Sequence, residues 1–246
     1  MDYRTNIEQQ NLLNLFLGEH GVKLPEETLG KLYDFANLVV NTKEFGNLIS
    51  AKDSEKFLSR HIADSIVPYI YIVKNKAKLD PSTSPNGGVY PELVERAQDD
   101  TIPNSELRIP NSIRWADMGA GAGCPVFPLA IVMPEVQFYA VEPRHMRVNF
   151  MQMVKEKLHL DNLTVVGKRF ETSGLSDLDF ISCRALSTFE NDWERAQPAL
   201  KKGGTFLTLK SFNNIVHLEN DPTVILHNYA LPQEEQVYAL VTRGNE

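Results

Sequence analysis

A strand, a glycine-rich turn and a helix follow one another across residues 113–132, and that succession constrains the fold more than any other feature. Residues 115–123 read WADMGAGAG. Gly119, Gly121 and Gly123 have no side chain, so the turn can be tight and a ligand can approach its backbone. From residue 113 onward, strand and helix patterns alternate. Strands are predicted at 113–118, 136–141, 163–166, 178–183 and 205–209, and helices near 126–132, 144–158 and 189–200. Two further strands, 223–229 and 236–242, complete a set of seven. Such alternation builds a mainly parallel sheet with helices on both faces. Ligands of these sheets bind at the carboxyl ends of the strands, where the strand order reverses.

The first 73 residues read differently. Leu12, Leu13, Phe16 and Leu17, then Leu29, Leu32, Phe35, Ala36 and Val39, recur at helical spacing. Pro25 with Glu26 and Glu27 suits a helix start. Asp53 or Ser54 offers an N-cap to a third helix through Phe57, Leu58, Ile62, Ile66 and Tyr69. Between this part and the first strand, residues 74–112 contain five prolines and the pair Asn86–Gly87. They read as irregular connection with a short helix around 92–98. The organisation is a helical subdomain at 1–73, an insertion or linker at 74–112, and a ligand-binding domain at 113–246.

No basic start precedes an apolar core, and no run approaches the roughly 18 apolar residues of a membrane span. Cys124 and Cys183 form neither a CxxC pair nor a disulfide framework. A cytoplasmic protein that uses no membrane and no metal is expected, since HExxH, DxDxDG and clustered Cys/His are all absent. The net charge of −7 argues against a nucleic-acid partner, but its distribution tempers this. Residues 144–210 carry 11 Lys and Arg against 8 Asp and Glu, between two acidic segments. A local anion-binding face is therefore permitted.

The loop itself narrows the ligand. In a dinucleotide-binding GxGxxG the last glycine would fall on Cys124, and no GK[ST] follows to make a phosphate loop. The pattern is DxGxGxG, with Asp117 two residues before Gly119, the arrangement of class I methyltransferases. There the loop, Ala120 included, runs beneath the amino-acid half of S-adenosylmethionine. Glu142 ends the next strand, where a carboxylate can accept both ribose hydroxyls. Its alternative is to cap the helix that begins near Arg144.

Several segments together resemble the bacterial 16S ribosomal RNA guanine-N7 methyltransferases, the glucose-inhibited division protein B family. They are FGNLIS (45–50), LSRHIADSI (58–66), ADMGAGAGCPVFPLAIVMPE (116–135), VEPRHMRVNFM (141–151), VGKRFET (166–172), SCRAL (182–186) and LTLKS (207–211). The family usually carries Gly at the position of Val126 and often Asp at that of Glu142, and residues 74–112 resemble an insertion. The resemblance implies a class I methyltransferase fold, Rossmann-like with a mainly parallel seven-stranded sheet, behind an N-terminal helical extension. It implies S-adenosylmethionine as cofactor, held by Asp117, Gly119, Ala120, Gly121, Gly123, Glu142, Pro143, Phe170, Glu171 and Arg184. The substrate it implies is 16S ribosomal RNA or a small-subunit particle. A monomer is expected.

Guanine N7 has a free lone pair at neutral pH, so the chemistry needs alignment rather than a general base. Arg184 is the leading residue to stack on the base or donate to O6, and so the expected catalytic group. Its alternative is a surface pair with Glu190 or Asp192. Arg144, Arg147, Lys168, Arg169 and Lys210 fall at strand ends or helix starts and are expected on RNA phosphates. For Arg144 and Arg147 the competing reading is a solvated helix face. Asn47, His61 and Asp64 are expected to support the site without acid–base work, and Cys124 to be structural. Two other functions fit the same residues: methylation of a small metabolite, and a cofactor-binding RNA or ribosome-assembly factor without turnover.

Overall fold

The structure, a computed structural model, describes residues 1–46, 48–74 and 113–246. Asn47, all but the first residue of the expected insertion, and its helix at 92–98 lie outside the described residues. Seven strands form one sheet: β1 (Arg114–Met118), β2 (Gln137–Val141), β3 (Leu163–Val166), β4 (Leu178–Arg184), β5 (Leu200–Ser211), β6 (Ile225–Ala230) and β7 (Val237–Gly244). Their order is β3-β2-β1-β4-β5-β7-β6. β1 to β5 are parallel, and β7 runs antiparallel between β5 and β6. From β1 the chain winds outward through β2 and β3, then crosses back to β4. The strand order therefore reverses between β1 and β4.

Alternation along the strands sorts side chains between two cores. Trp115 of β1 packs on Phe138 of β2 and Phe180 of β4, with ring centroids 5.5 and 4.6 Å apart. This face also receives the N-terminal helices α1 (Ile7–Glu19) and α2 (Glu26–Asn41), and α5 (Val126–Val132), which follows the glycine loop. Phe35 of α2 stacks on Phe127 of α5 at 5.3 Å. The helical extension and the sheet thus share one continuous apolar core, and neither half is closed without the other. On the opposite face Ile181, Cys183 and Phe206 pack with Phe189 and Ala196 of α7 (Phe189–Ala196). The remaining long helix, α6 (His145–Leu158), joins β2 to β3.

Two expected elements differ in detail. The third N-terminal helix is broken in three. Ser50, not Asp53 or Ser54, caps the short α3 (Ala51–Glu55) by accepting the Asp53 N–H at 3.1 Å. A π-helical turn, Phe57–Ile62, follows, and then α4 (Ala63–Lys74). The wider turn leaves backbone donors over, and Gln9 of α1 accepts the Ser59 N–H at 3.2 Å. The helix expected through residue 200 stops at Ala196. A 3-10 turn at Gln197–Ala199 takes over, because Pro198 has no N–H to continue an α-helix.

Gly204 of β5 is a packing constraint. A Cβ there would lie 2.8 Å from the Leu178 carbonyl oxygen and 3.0 Å from that of Lys201, both backbone atoms that cannot swing aside. Gly204→Ala is expected to destabilise the fold by about 2 kcal/mol, the usual cost of overpacking. Urea unfolding checks it; a loss below about 0.5 kcal/mol would mean that β4 and β5 can separate locally.

Candidate active site

The glycine loop leaves β1 where Gly119 and Ala120 both donate to the Val141 carbonyl, at 2.9 and 3.0 Å. Gly119 and Gly121 have φ of 78° and 59°, which an L side chain adopts only under strain. A Cβ on Gly119 would also press to 2.8 Å from Leu186. Around Gly121 the space is open: the nearest atom to an added Cβ is the Gly119 oxygen, 3.9 Å away. The loop is tied to the neighbouring strand by Glu142, which is buried. Its Oε2 accepts the Gly121 N–H and its Oε1 the Arg144 N–H, each at 3.0 Å. The carboxylate therefore holds both loop and helix start. Each oxygen keeps a lone pair that can meet a hydroxyl group.

Beneath the loop, Asp117 is almost completely buried. It sits opposite Ser182 in the β1–β4 register, and the Ser182 hydroxyl donates to its Oδ1 at 2.8 Å. Its Oδ2 is buried with no hydrogen-bond partner among the described residues. Burial pushes this carboxyl up to about 7, against the pull of the Ser182 bond and the Arg184 charge.

Arg184 ends β4 on the same face as Phe180 and Ser182, because side chains alternate along a strand. That face looks toward the N-terminal helices, and Asp64 of α4 meets it there. Asp64 Oδ2 accepts from Arg184 Nη1 at 3.1 Å, and its Oδ1 accepts from the Tyr229 hydroxyl of β6 at 2.5 Å. The surface partners weighed for Arg184 are engaged elsewhere: Glu190 with His217, and Asp192 with Lys210. Next in the chain, Ala185 has φ of 49°, an uncommon conformation for a residue with a side chain.

Loop and strand end together wall a cavity of about 220 Å³. Gly119–Ala122 and Cys124 form one side, Arg184 and Ala185 another. Val39, Leu48, Ile49, Phe57 and His61 close it from the N-terminal helices, and Arg144 and Arg147 stand at its margin. Small-molecule sites usually enclose roughly 300–1,000 Å³, so this space takes part of a larger ligand and leaves the rest outside. His61 lies on the π-helical turn; burial, then the positive charge of Arg184, push its imidazole down to about 3. It is neutral at physiological pH. Burial raises the Cys124 thiol, so it is not a thiolate nucleophile.

The remaining expected residues are dispersed. Arg144, Lys168 and Arg169 are exposed at the carboxyl ends of β2 and β3. Arg147 is half-buried and donates to the Leu48 carbonyl at 3.1 Å, tying α6 to the segment before α3. Pro143 is exposed, and Phe170 is buried in a 3-10 turn after β3. Glu171 pairs with Arg195 at the surface. Val126 is buried in the core, so its side chain is not part of the cavity wall.

Lys210 requires a correction. It was expected on RNA phosphates, but Leu207 and Leu209 face the N-terminal helices, and Lys210 points to the opposite side of the sheet. Its ammonium is buried, 2.7 Å from Asp192 Oδ2 and 2.5 Å from the Ser187 carbonyl. Asp192 also accepts from the Ser187 hydroxyl at 2.6 Å. The sequence reading gave Tyr229 and Ser182 no role at the site, and it saw Asp53 only as a helix cap. Tyr229 stands 165 residues from its partner Asp64, and no local pattern marks such a pair.

With this geometry in view, the family model and the sequence relatives point to one family. Residues 89–238 match the model of the GidB family, rRNA small subunit methyltransferase G. The chain belongs to that family. Among its relatives, ribosomal RNA small subunit methyltransferase G of Staphylococcus saprophyticus is 28% identical over 207 residues, covering 82% of this chain and 72% of the relative. The enzyme of the same name from Macrococcus caseolyticus is 27% identical over 234 residues, covering 90% and 84%. A solved precorrin-6y C5,15-methyltransferase from Geobacter metallireducens superposes with a TM-score of 0.44 at 19% identity, over 57% of this chain and 83% of that one. The family's methyl donor, S-adenosylmethionine, fits the loop: Gly121 leaves room beside its backbone, and a buried carboxylate with an unused oxygen lies below. Among the described residues no helix is long and apolar enough to cross a membrane, and no group of three or more His, Cys, Asp and Glu is placed to hold a metal.

Proposed function

We propose that this chain methylates N7 of a guanine in 16S ribosomal RNA, using the cavity between the glycine loop and Arg184. The observation that carries this reading is the pairing of Arg184 with Asp64 at the cavity wall. One N–H of the guanidinium is committed to Asp64, which fixes its plane and leaves other donors for a guanine O6. Desolvation and the Tyr229–Asp64 bond hold this arrangement before substrate arrives, as electrostatic preorganisation requires.

The cofactor supplies an electrophilic methyl group on a sulfonium. Around it, the chain's residues bind and orient. The loop backbone at Gly119–Ala122 would support the amino-acid half, Glu142 would meet the ribose hydroxyls, and Phe170 would flank the adenine. Arg144, Arg147, Lys168 and Arg169 supply positive charge for RNA phosphates at the strand ends. N7 carries its own lone pair, so no side chain needs to remove a proton. The neutral His61, with a pKa near 3, is unsuited to acid–base exchange at physiological pH. N7 lies in the deep groove of paired RNA, so an unpaired or flipped guanine is the substrate conformation.

Methyl incorporation into ribosomal RNA lacking the modification, mapped by reverse transcription, tests the reading. Wild type is expected to label one guanine at N7. Arg184→Ala is expected to lower kcat by about 100-fold, the scale of losing one preorganised donor group. Full turnover in that variant would remove Arg184 from the site, and labelling of another atom would overturn the assignment.

A further inference from the structure

The side chains of the cavity wall are rich in donors and nearly devoid of acceptors. The Arg144, Arg147 and Arg184 side chains can only donate, those of Val39, Leu48, Ile49, Phe57 and the alanines do neither, and the glycines have none. Cys124 offers a sulfur, a weak acceptor. Among the described residues lining the space, His61 is the one side chain with a strong acceptor lone pair. Both of its ring nitrogens are buried, and neither has a hydrogen-bond partner among the described residues. The nearest carboxylate oxygen, Asp53 Oδ1, stands 3.5 Å from Nε2. That carboxylate is already engaged, by Arg60 at 2.8 Å and by the Ser50 hydroxyl at 2.7 Å. A buried polar group without a partner costs about 1–3 kcal/mol, so an imidazole whose Nε2 has only this long contact and whose Nδ1 has none needs an explanation.

The backbone around it points the same way. Phe57–Ile62 winds as a π-helix, a rare form that concentrates at functional sites. The turn is held from outside by Gln9 and from its own end by the Ser65 hydroxyl, which donates to the His61 carbonyl at 2.6 Å. The Phe57 ring lies 5.2 Å from the imidazole and limits its swing. The side chain is therefore fixed before any ligand binds.

We infer that His61 accepts a hydrogen bond from the α-ammonium group of the bound cofactor's methionine half. This rests on the function proposed above, which places that half on the Gly119–Ala122 loop. The charged groups facing the ring are Asp53 from α3, Arg60 from its own turn and Arg184 from β4. Among cavity cations that repel it, an ammonium needs a neutral or anionic acceptor. Neutral His61 provides one from the N-terminal helical part of the wall. The residue is thus a cofactor-binding group contributed by the helical extension.

Calorimetry separates this from a packing role, using S-adenosylhomocysteine, which keeps the amino-acid half, and methylthioadenosine, which lacks it. His61→Phe is expected to weaken S-adenosylhomocysteine by about tenfold or more, as for a lost hydrogen bond to a charged group. Methylthioadenosine should bind wild type and variant alike. His61→Asn, whose amide oxygen restores an acceptor, should recover part of the loss. Equal weakening of both ligands would show that His61 merely shapes the cavity. Unchanged S-adenosylhomocysteine binding with a raised KM for RNA would assign the ring to the guanine instead. Either result overturns the inference while the methyltransferase reading stands. Failure of wild type to bind S-adenosylhomocysteine would overturn both.

Discussion

Replacing Lys210 by Met is expected to destabilise the protein by about 3–5 kcal/mol, the cost of leaving one partner of a buried ion pair without the other. Asp192 is fully buried, and Lys210 Nζ is its cationic contact, at 2.7 Å. The Met side chain fills the volume of the lysine stem, so the loss reports charge rather than a cavity. What remains around Asp192 are the Ser187 hydroxyl at 2.6 Å, the Ser187 N–H at 3.3 Å and the Cys183 thiol at 3.5 Å, none of which carries charge. The Ser187 carbonyl loses its donor as well. Adding Asp192→Asn should recover more than half of the loss, because the uncompensated charge is then gone. Urea unfolding of the two variants measures both quantities.

The functional consequence follows from where Ser187 lies. It stands in the short connection between Arg184 at the end of β4 and Thr188, the N-cap of α7. Ala185 is held there at positive φ, a conformation that persists only when neighbours enforce it. Lys210 and Asp192 clamp Ser187 from the far side of the sheet, so they position the wall of the cavity without entering it. Lys210→Met should therefore lower methyl transfer through Arg184 as it lowers stability. A variant that unfolds like wild type yet binds RNA more weakly would restore Lys210 to the RNA surface and remove this account.

The case of Lys210 shows where sequence reading stops. β1, the glycine loop and α5 were legible because a rare glycine spacing coincides with a change of hydrophobic period. That the first five strands run parallel was legible, since helices separate them. Which face of β5 carries Lys210 was not. Leu207 and Leu209 on one side and Phe206 and Thr208 on the other are all buried, so the strand shows no polar face from which to set parity. The antiparallel run of β7 was illegible for a related reason: strand propensity has no direction. The Arg184–Asp64 contact joins residues 120 apart, and only the docking of α4 on the sheet creates it. The π-helical turn left no mark either, since its apolar residues also fit an α-helix.

Asp117→Asn is expected to stabilise the ligand-free protein at pH 8 by about 2–4 kcal/mol and to leave it unchanged near pH 4. The carboxyl is raised from an ordinary value of 3.8 to about 7, chiefly by burial. A group whose folded pKa exceeds its unfolded one contributes fully below the unfolded value and loses that contribution as pH rises through the folded value. Three pKa units correspond to about 4 kcal/mol, spread over the interval from about pH 4 to 7. The variant's advantage should therefore grow by about 1.4 kcal/mol per pH unit across that window and then level off. In wild type the slope is masked. His61 is displaced the other way, from 6.5 to about 3, so its contribution is present above 6.5 and lost as pH falls. Over the shared range the folded protein holds one extra proton on Asp117 and lacks one on His61, and the two dependences oppose each other. Removing Asp117 should expose the acid sensitivity of His61. The same substitution should weaken cofactor binding, because a cationic ligand above the loop favours the ionised carboxylate and drives its proton off. Calorimetry in two buffers of different ionisation enthalpy would register that proton for wild type and not for the variant. An advantage independent of pH would mean that Asp117 stays ionised throughout, and that its unpartnered oxygen is solvated by means other than the protein.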